Sequence, residues 1–149
     1  MHTFPISLDW RGDTSSPDYP RDATVGAPGK DALATSAGIA AMGGDLSKWN
    51  PEDLLGAALA TCHLLTFLAL AAKRGLPVRE VRGGGEVVLD RVDQETQVTE
   101  IRLTPTITLA PGGDAALAEE LFGRAHRYCY IARSLRGRVV TAPTVVVSG

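Results

Sequence analysis

Apolar residues gather most densely over residues 54–72, where they occupy nearly every helical face rather than one stripe. Such a run predicts a helix enclosed by protein on all sides, because a surface helix keeps a polar face. Its ends are marked. Asn50 suits the N-cap, Pro51 suits the first helical position, and Glu52 and Asp53 put negative charge at the positive pole of the helix dipole. Lys73 and Arg74 complement the other pole, Gly75 suits the left-handed residue that closes a helix, and Pro77 blocks its restart. At 1.5 Å per residue the helix is about 36 Å long, so a second subunit is expected to help cover it. The run is also long enough to span a bilayer. Its alanine content, the central Thr61, Cys62 and His63, and the amphipathic sequence around it argue against a span.

Elsewhere the pattern alternates as strands do. Residues 3–10 read as a first strand, 11–29 as a Gly-, Pro-, Asp- and Ser-rich loop with at most a short strand at 23–25, and 31–37 as a further strand. Residues 42–45 form a turn into the central helix. Beyond it, 78–92 reads as two strands about the glycines 83–85, and 98–109 as another, interrupted at Pro105, with Ile101, Leu103, Ile107 and Leu109 alternating. A second helix is expected over 114–128, with Leu117, Leu121, Phe122 and Ala125 on one face and Glu119 and Glu120 opposite. Residues 129–135 continue as a short helix or turn, and 139–147 as a final strand. Without regular βαβ crossovers this is an α+β domain, a mainly antiparallel sheet wrapped around the central helix.

Composition narrows the class. A chain of 149 residues with 44% hydrophobic content is the size of one domain, here 1–149. A net charge of −2 without a basic run gives nucleic-acid binding no support. The first residues carry no basic segment followed by an apolar run, so the cytoplasm is the expected compartment. In that compartment Cys62 and Cys129 are not expected to form a structural staple, and a disulfide between them would be transient and catalytic.

The candidate chemistry centres on those two residues. They are either inert core thiols or a thiolate nucleophile with its resolving partner. A zinc site from Cys62, His126 and Cys129 is a rival, since His126 and Cys129 are three apart and would share a helix face. His63 projects about 100° from Cys62 on a helix, which keeps the four from converging on one ion. A Cys–His acyl-transfer pair is a second rival, but no oxyanion-hole pattern accompanies it. Arg21, in Tyr19-Pro20-Arg21, reads on pattern alone as a surface residue.

The run Asn50-Pro51-Glu52-Asp53-Leu54-Leu55, then Ala57-Ala58-Leu59, Cys62-His63-Leu64 and Phe67-Leu68 resembles the N-P-E-x-L-L…A…CH-x-x-x-F-L signature of the OsmC/Ohr family. Ala125-His126-Arg127-Tyr128-Cys129 resembles that family's A-H-x-x-C segment. The family comprises thiol-dependent peroxidases, named for osmotic induction and organic hydroperoxide resistance. The resemblance implies an intertwined homodimer with paired central helices, Cys62 as peroxidatic thiolate, Cys129 as resolving thiol, and Glu52 with an arginine as activating groups. Arg21 best matches that arginine, with Arg11 as the alternative. A buried apolar helix raises a thiol pKa, so a guanidinium is needed to hold the thiolate, and Glu52 can orient it by a bidentate contact. The resemblance also implies a Cys62–Cys129 disulfide that an external dithiol, a lipoyl or thioredoxin-like protein, reopens. No metal or bound cofactor is required. Leu64, Leu65, Phe67 and Leu68 would supply an apolar entrance for organic peroxides. Tyr130 departs from the Pro that follows the second cysteine in many members. The alternative is a stress-induced binding or scaffold module without peroxidase turnover.

Overall fold

A computed structural model describes residues 1–149 as two compact units, Met1–Leu54 and Leu55–Gly149. In the first unit β1 (Ser7–Asp9), β2 (Ala23–Gly26) and β3 (Leu33–Thr35) form an antiparallel meander. The strands expected at 3–10 and 31–37 are each three residues long. Pro5 has no N–H to give a ladder, and Ser36 donates its N–H to the Trp49 carbonyl instead (2.9 Å). A 3-10 turn, Ala40–Met42, ends on left-handed Gly43 before the chain enters the central helix.

That helix, α1 (Pro51–Lys73), begins and ends where local chemistry dictates. Asn50 Oδ1 accepts from the Asp53 N–H (2.7 Å) while Asp53 Oδ2 accepts from the Asn50 N–H (3.3 Å), a reciprocal capping box. At the far end Gly75 has φ 67°, its N–H reaches the Ala72 carbonyl, and the Leu76 N–H reaches the Ala71 carbonyl. This is a Schellman closure, with buried Leu76 as its apolar contact.

Within one chain α1 is covered on one side only. Leu59, His63, Phe67 and Ala71, at i, i+4 spacing, are buried, whereas Ala58, Thr61, Leu65, Leu68, Ala69 and Ala72 are exposed. Hydropathy marks a face that avoids water; it does not say which body covers it. The helix also meets the length and hydropathy of a membrane span. Its buried stripe, with His63 inside it, nevertheless makes it a core helix of this fold.

The second unit carries two three-stranded sheets, β4-β7-β9 and β5-β6-β8. The strands are β4 (Val78–Arg82), β5 (Gly85–Val92), β6 (Glu95–Leu103), β7 (Thr106–Leu109), β8 (Arg138–Thr141) and β9 (Thr144–Val147). Thus 98–109 and 139–147, each expected as one strand, are both pairs of strands. The break falls at Thr104-Pro105 in one and Ala142-Pro143 in the other, because proline cannot donate to a ladder. Register carries across both breaks. Arg82 faces Thr106 and Gly85 faces Leu103 in the same antiparallel frame, and β8–β9 follow β6–β7 in one parallel frame. The two sheets are therefore one ribbon of three strands bent along a line through Gly83-Gly84, Pro105 and Pro143. The parallel pairs are possible because α2 (Ala115–Ala125) and α3 (Tyr130–Ser134) supply the crossover between β7 and β8. Asp93 and Gln94, both with positive φ, turn the β5–β6 hairpin and start β6 earlier than the sequence pattern indicates.

Ile101 and Leu103 of β6, Ile107 and Leu109 of β7, and Ala118, Leu121, Phe122 and Ala125 of α2 pack with the buried stripe of α1. Burial of Phe67 contributes roughly 2 kcal/mol. Its edge-on contact with the Phe122 ring (centroids 5.4 Å apart) adds about 1 kcal/mol.

Candidate active site

Two elements bring the cysteines together. Cys62 lies midway along α1, half-buried, and Cys129 is the fully buried N-cap of α3, its sulfur accepting from the Ala132 N–H (3.4 Å). Their sulfurs are 2.7 Å apart, with the Cys129 thiol donating to Cys62. Sixty-seven residues of sequence thus close onto one sulfur–sulfur contact. The helix expected over 114–128 ends at Ala125, with His126 as its C-cap. His126 and Cys129 therefore do not share a helix face, and the spacing argument for a zinc site does not hold.

The two thiols are made unequal. Burial pushes the Cys62 pKa up, but the Cys129 hydrogen bond and the N–H groups of Ile131 and Tyr130 outweigh it, leaving the thiol below its ordinary value. Thr66 also lies beside Cys62, yet its single hydroxyl proton goes to the Cys62 carbonyl (2.8 Å). The thiol and amide donors consequently do most to stabilise the anion. Cys129 moves the other way: burial, then the Cys62 sulfur, raise it to about 11. Of the two thiols, Cys62 is therefore the one that gives up its proton first, and Cys129 the one that keeps it.

His63, next to Cys62, points into the core. Its ring stacks on Phe122 (4.5 Å between centroids, 14° between planes), and Nε2 lies 2.9 Å from the Phe122 carbonyl. A carbonyl only accepts, so Nε2 carries the proton; Nδ1 is buried without a partner. Burial, and then the charge of His126, lower the His63 pKa from 6.5 to about 4. Between those values the unfolded chain binds a proton that the folded chain refuses. Stability is therefore complete above pH 6.5 and falls as the pH drops toward 4. The loss should amount to roughly 3 kcal/mol and be absent in His63→Gln, as urea denaturation at a series of pH values would show.

Arg21 and Glu52 belong to the first unit. Arg21 precedes β2, exposed, its guanidinium 4.2 Å from the Tyr19 ring centroid. Glu52 occupies the first turn of α1, where Gly38 leaves room for it: a Cβ there would come within 2.8 Å of Oε2. No ion pair joins the two, and Arg11 is exposed. Of the residues expected to line an apolar entrance, Phe67 is fully buried in the core and Leu64 lines a cavity of about 90 Å³ with Ala60, Val81, Leu103 and Phe122. Residues 60 and 64 lie about 200° around α1 from Cys62, so this cavity opens on the face away from the sulfur. Leu65, 61% exposed, shares the sulfur's face. The i, i+4 stripe 59–63–67–71 is the sequence signal that places His63 in the core rather than at a metal or acyl-transfer site.

A family model described as OsmC-like protein matches residues 43–143. The uncharacterized protein YmaD of Bacillus subtilis (strain 168) is 28% identical over 142 residues, covering 93% of this chain and 89% of that protein. Peroxiredoxin OsmC of Escherichia coli (strain K12) is 28% identical over 90 residues, covering 60% of this chain and 62% of that protein, less than two thirds of its length. The solved structure of an OsmC-like protein of unknown function from Vibrio cholerae superposes with a TM-score of 0.86 at 25% identity, covering 96% of this chain and 99% of that one.

Proposed function

The chain belongs to the OsmC-like family, and from that premise we propose that it is a thiol-dependent hydroperoxide reductase. The observation that carries the reading is the 2.7 Å contact of Cys62, whose pKa is lowered, with Cys129, whose pKa is raised. The Cys62 thiolate attacks the terminal peroxide oxygen. A sulfur–oxygen bond forms, the oxygen–oxygen bond breaks, and the leaving alkoxide departs as an alcohol with a proton from solvent. Cys129 then attacks the sulfenic acid, its proton leaves with the hydroxyl as water, and a Cys62–Cys129 disulfide remains. An external dithiol, such as a lipoyl or thioredoxin-like protein, restores both thiols by exchange. No resident metal or cofactor takes part. Arg21 is assigned to hold the thiolate and polarise the peroxide, and Glu52 to orient it.

The protein works as a cytoplasmic homodimer in this reading. The exposed apolar face of α1, with Leu65 and Leu68, supports a second copy. Leu65 beside Cys62 favours organic over inorganic peroxides. A binding or scaffold module gives no role to the paired sulfurs.

Reduced protein given one equivalent of an organic hydroperoxide should lose both thiols and gain an intrachain Cys62–Cys129 bond, read by thiol counting and non-reducing mass spectrometry. Two free thiols after treatment would return the chain to the binding class, and disulfides found only between chains would remove Cys129 from the resolving role.

A further inference from the structure

The last four carbonyls of α2 are each engaged, and one partner comes from another helix. The His126 N–H, which in a continuing α-helix would bond Phe122, goes to Gly123 (3.4 Å). The Arg127 N–H goes to Arg124 (3.0 Å), and the Tyr128 and Cys129 N–H groups both go to Ala125 (3.0 Å each). The Phe122 carbonyl is left to His63 Nε2 on α1. Bonding thus tightens from four-residue to three-residue spacing over 126–128, just where the sequence pattern calls for helix to continue.

We infer that His63 is a positioning residue: by occupying the Phe122 carbonyl it ends α2 at Ala125 and so delivers the Cys129 thiol onto Cys62. Three residues in 3-10 rather than α geometry rise about 1.5 Å further and turn about 60° more. Continuation of α2 would therefore carry Cys129 off the 2.7 Å sulfur contact. The ring is held for this task on two sides, by its stack on Phe122 and by burial, and Phe67 packs against the same Phe122 ring. The residue beside the nucleophile thereby sets the place of the second thiol without touching either sulfur's substrate.

The consequence for turnover rests on the hydroperoxide reductase reading, whereas the closure geometry does not, so two oxidants separate them. His63→Met keeps side-chain size and removes the donor; His63→Gln keeps an N–H donor. With an organic hydroperoxide, His63→Met should still form the Cys62 sulfenic acid but close the disulfide roughly ten- to a hundred-fold more slowly, so that dimedone traps the intermediate. His63→Gln should restore most of the closure rate. Diamide, which oxidises dithiols without peroxide, should reproduce the same order of closure rates. A wild-type protein inert to hydroperoxide but closed by diamide, with His63→Met still slow, sinks the reductase reading and leaves His63 in place. A folded His63→Met that closes as fast as wild type, or a His63→Gln as slow as His63→Met, overturns the inference. Should His63→Met not fold, nitrogen-15 spectra of the wild-type histidines decide. A neutral His63 with a slowly exchanging Nε2 proton at pH 7 upholds the inference, and a proton on Nδ1 overturns it.

Discussion

Cys62→Ser protein should reduce hydroperoxide no faster than the uncatalysed reaction, while Cys129→Ser should consume a single equivalent and stop at a sulfenic acid. The asymmetry follows from the proton. Amide donors and the Cys129 thiol stabilise an anion on Cys62, whereas Cys129 is buried and raised to about 11, so Cys62 is the thiol that ionises first. A serine hydroxyl at position 62 has no comparable anion and no sulfur to oxidise. At position 129 a serine cannot form the second sulfur bond, so the variant should stall with its oxidised Cys62 open to dimedone or to over-oxidation. A sulfenic adduct trapped on Cys129 in a Cys62→Ser protein that still turns over would reverse the two roles.

Mixed subunits provide the second large effect. Glu52→Ala and Cys62→Ser proteins should each be nearly inactive, and should regain activity when protomers exchange. Ten residues of continuous α-helix separate Glu52 from Cys62, about 15 Å along the axis with directions some 80° apart. One helix therefore cannot bring its own Glu52 to its own Cys62. In the proposed homodimer, with its α1 helices antiparallel, Glu52 of one copy would approach Cys62 of the other, because contacts across a two-fold axis are reciprocal. A heterodimer then holds one complete site, with Cys62 from the first mutant and Glu52 from the second. An equal, fully exchanged mixture is half heterodimer, so it should reach about one quarter of wild-type activity. Verified heterodimers as inactive as their parents, with Glu52→Ala fully folded, would mean that the site is built within one chain.

Both experiments address residues visible in the sequence, and the reason is local. The caps of α1 were legible because Asn50, Asp53 and Gly75 act on backbone groups within a turn of themselves. The alternation of Ile101, Leu103, Ile107 and Leu109 marked the sheet's buried face, since side chains on a strand alternate by geometry alone. Cys62 and Cys129 stood out as chemistry, and the motifs around them pointed to the family that the comparisons bear out.

The sequence by itself thus determined the central helix with its caps, the class α+β and the two thiols as the candidate chemistry. Only the tertiary structure decided where α2 stops, because the donor that occupies the Phe122 carbonyl sits 59 residues away on α1. It alone decided that strands read as single runs bend in concert at Gly83-Gly84, Pro105 and Pro143, since a shared bend needs three strands in register. It alone decided which face of an almost uniformly apolar helix enters this chain's core, for hydropathy carries no direction where every face is apolar. The proton's preference for Cys129 over Cys62 was likewise beyond reach of spacing. It depends on burial and on amides from Tyr130 and Ile131, which converge only when α3 is laid against α1.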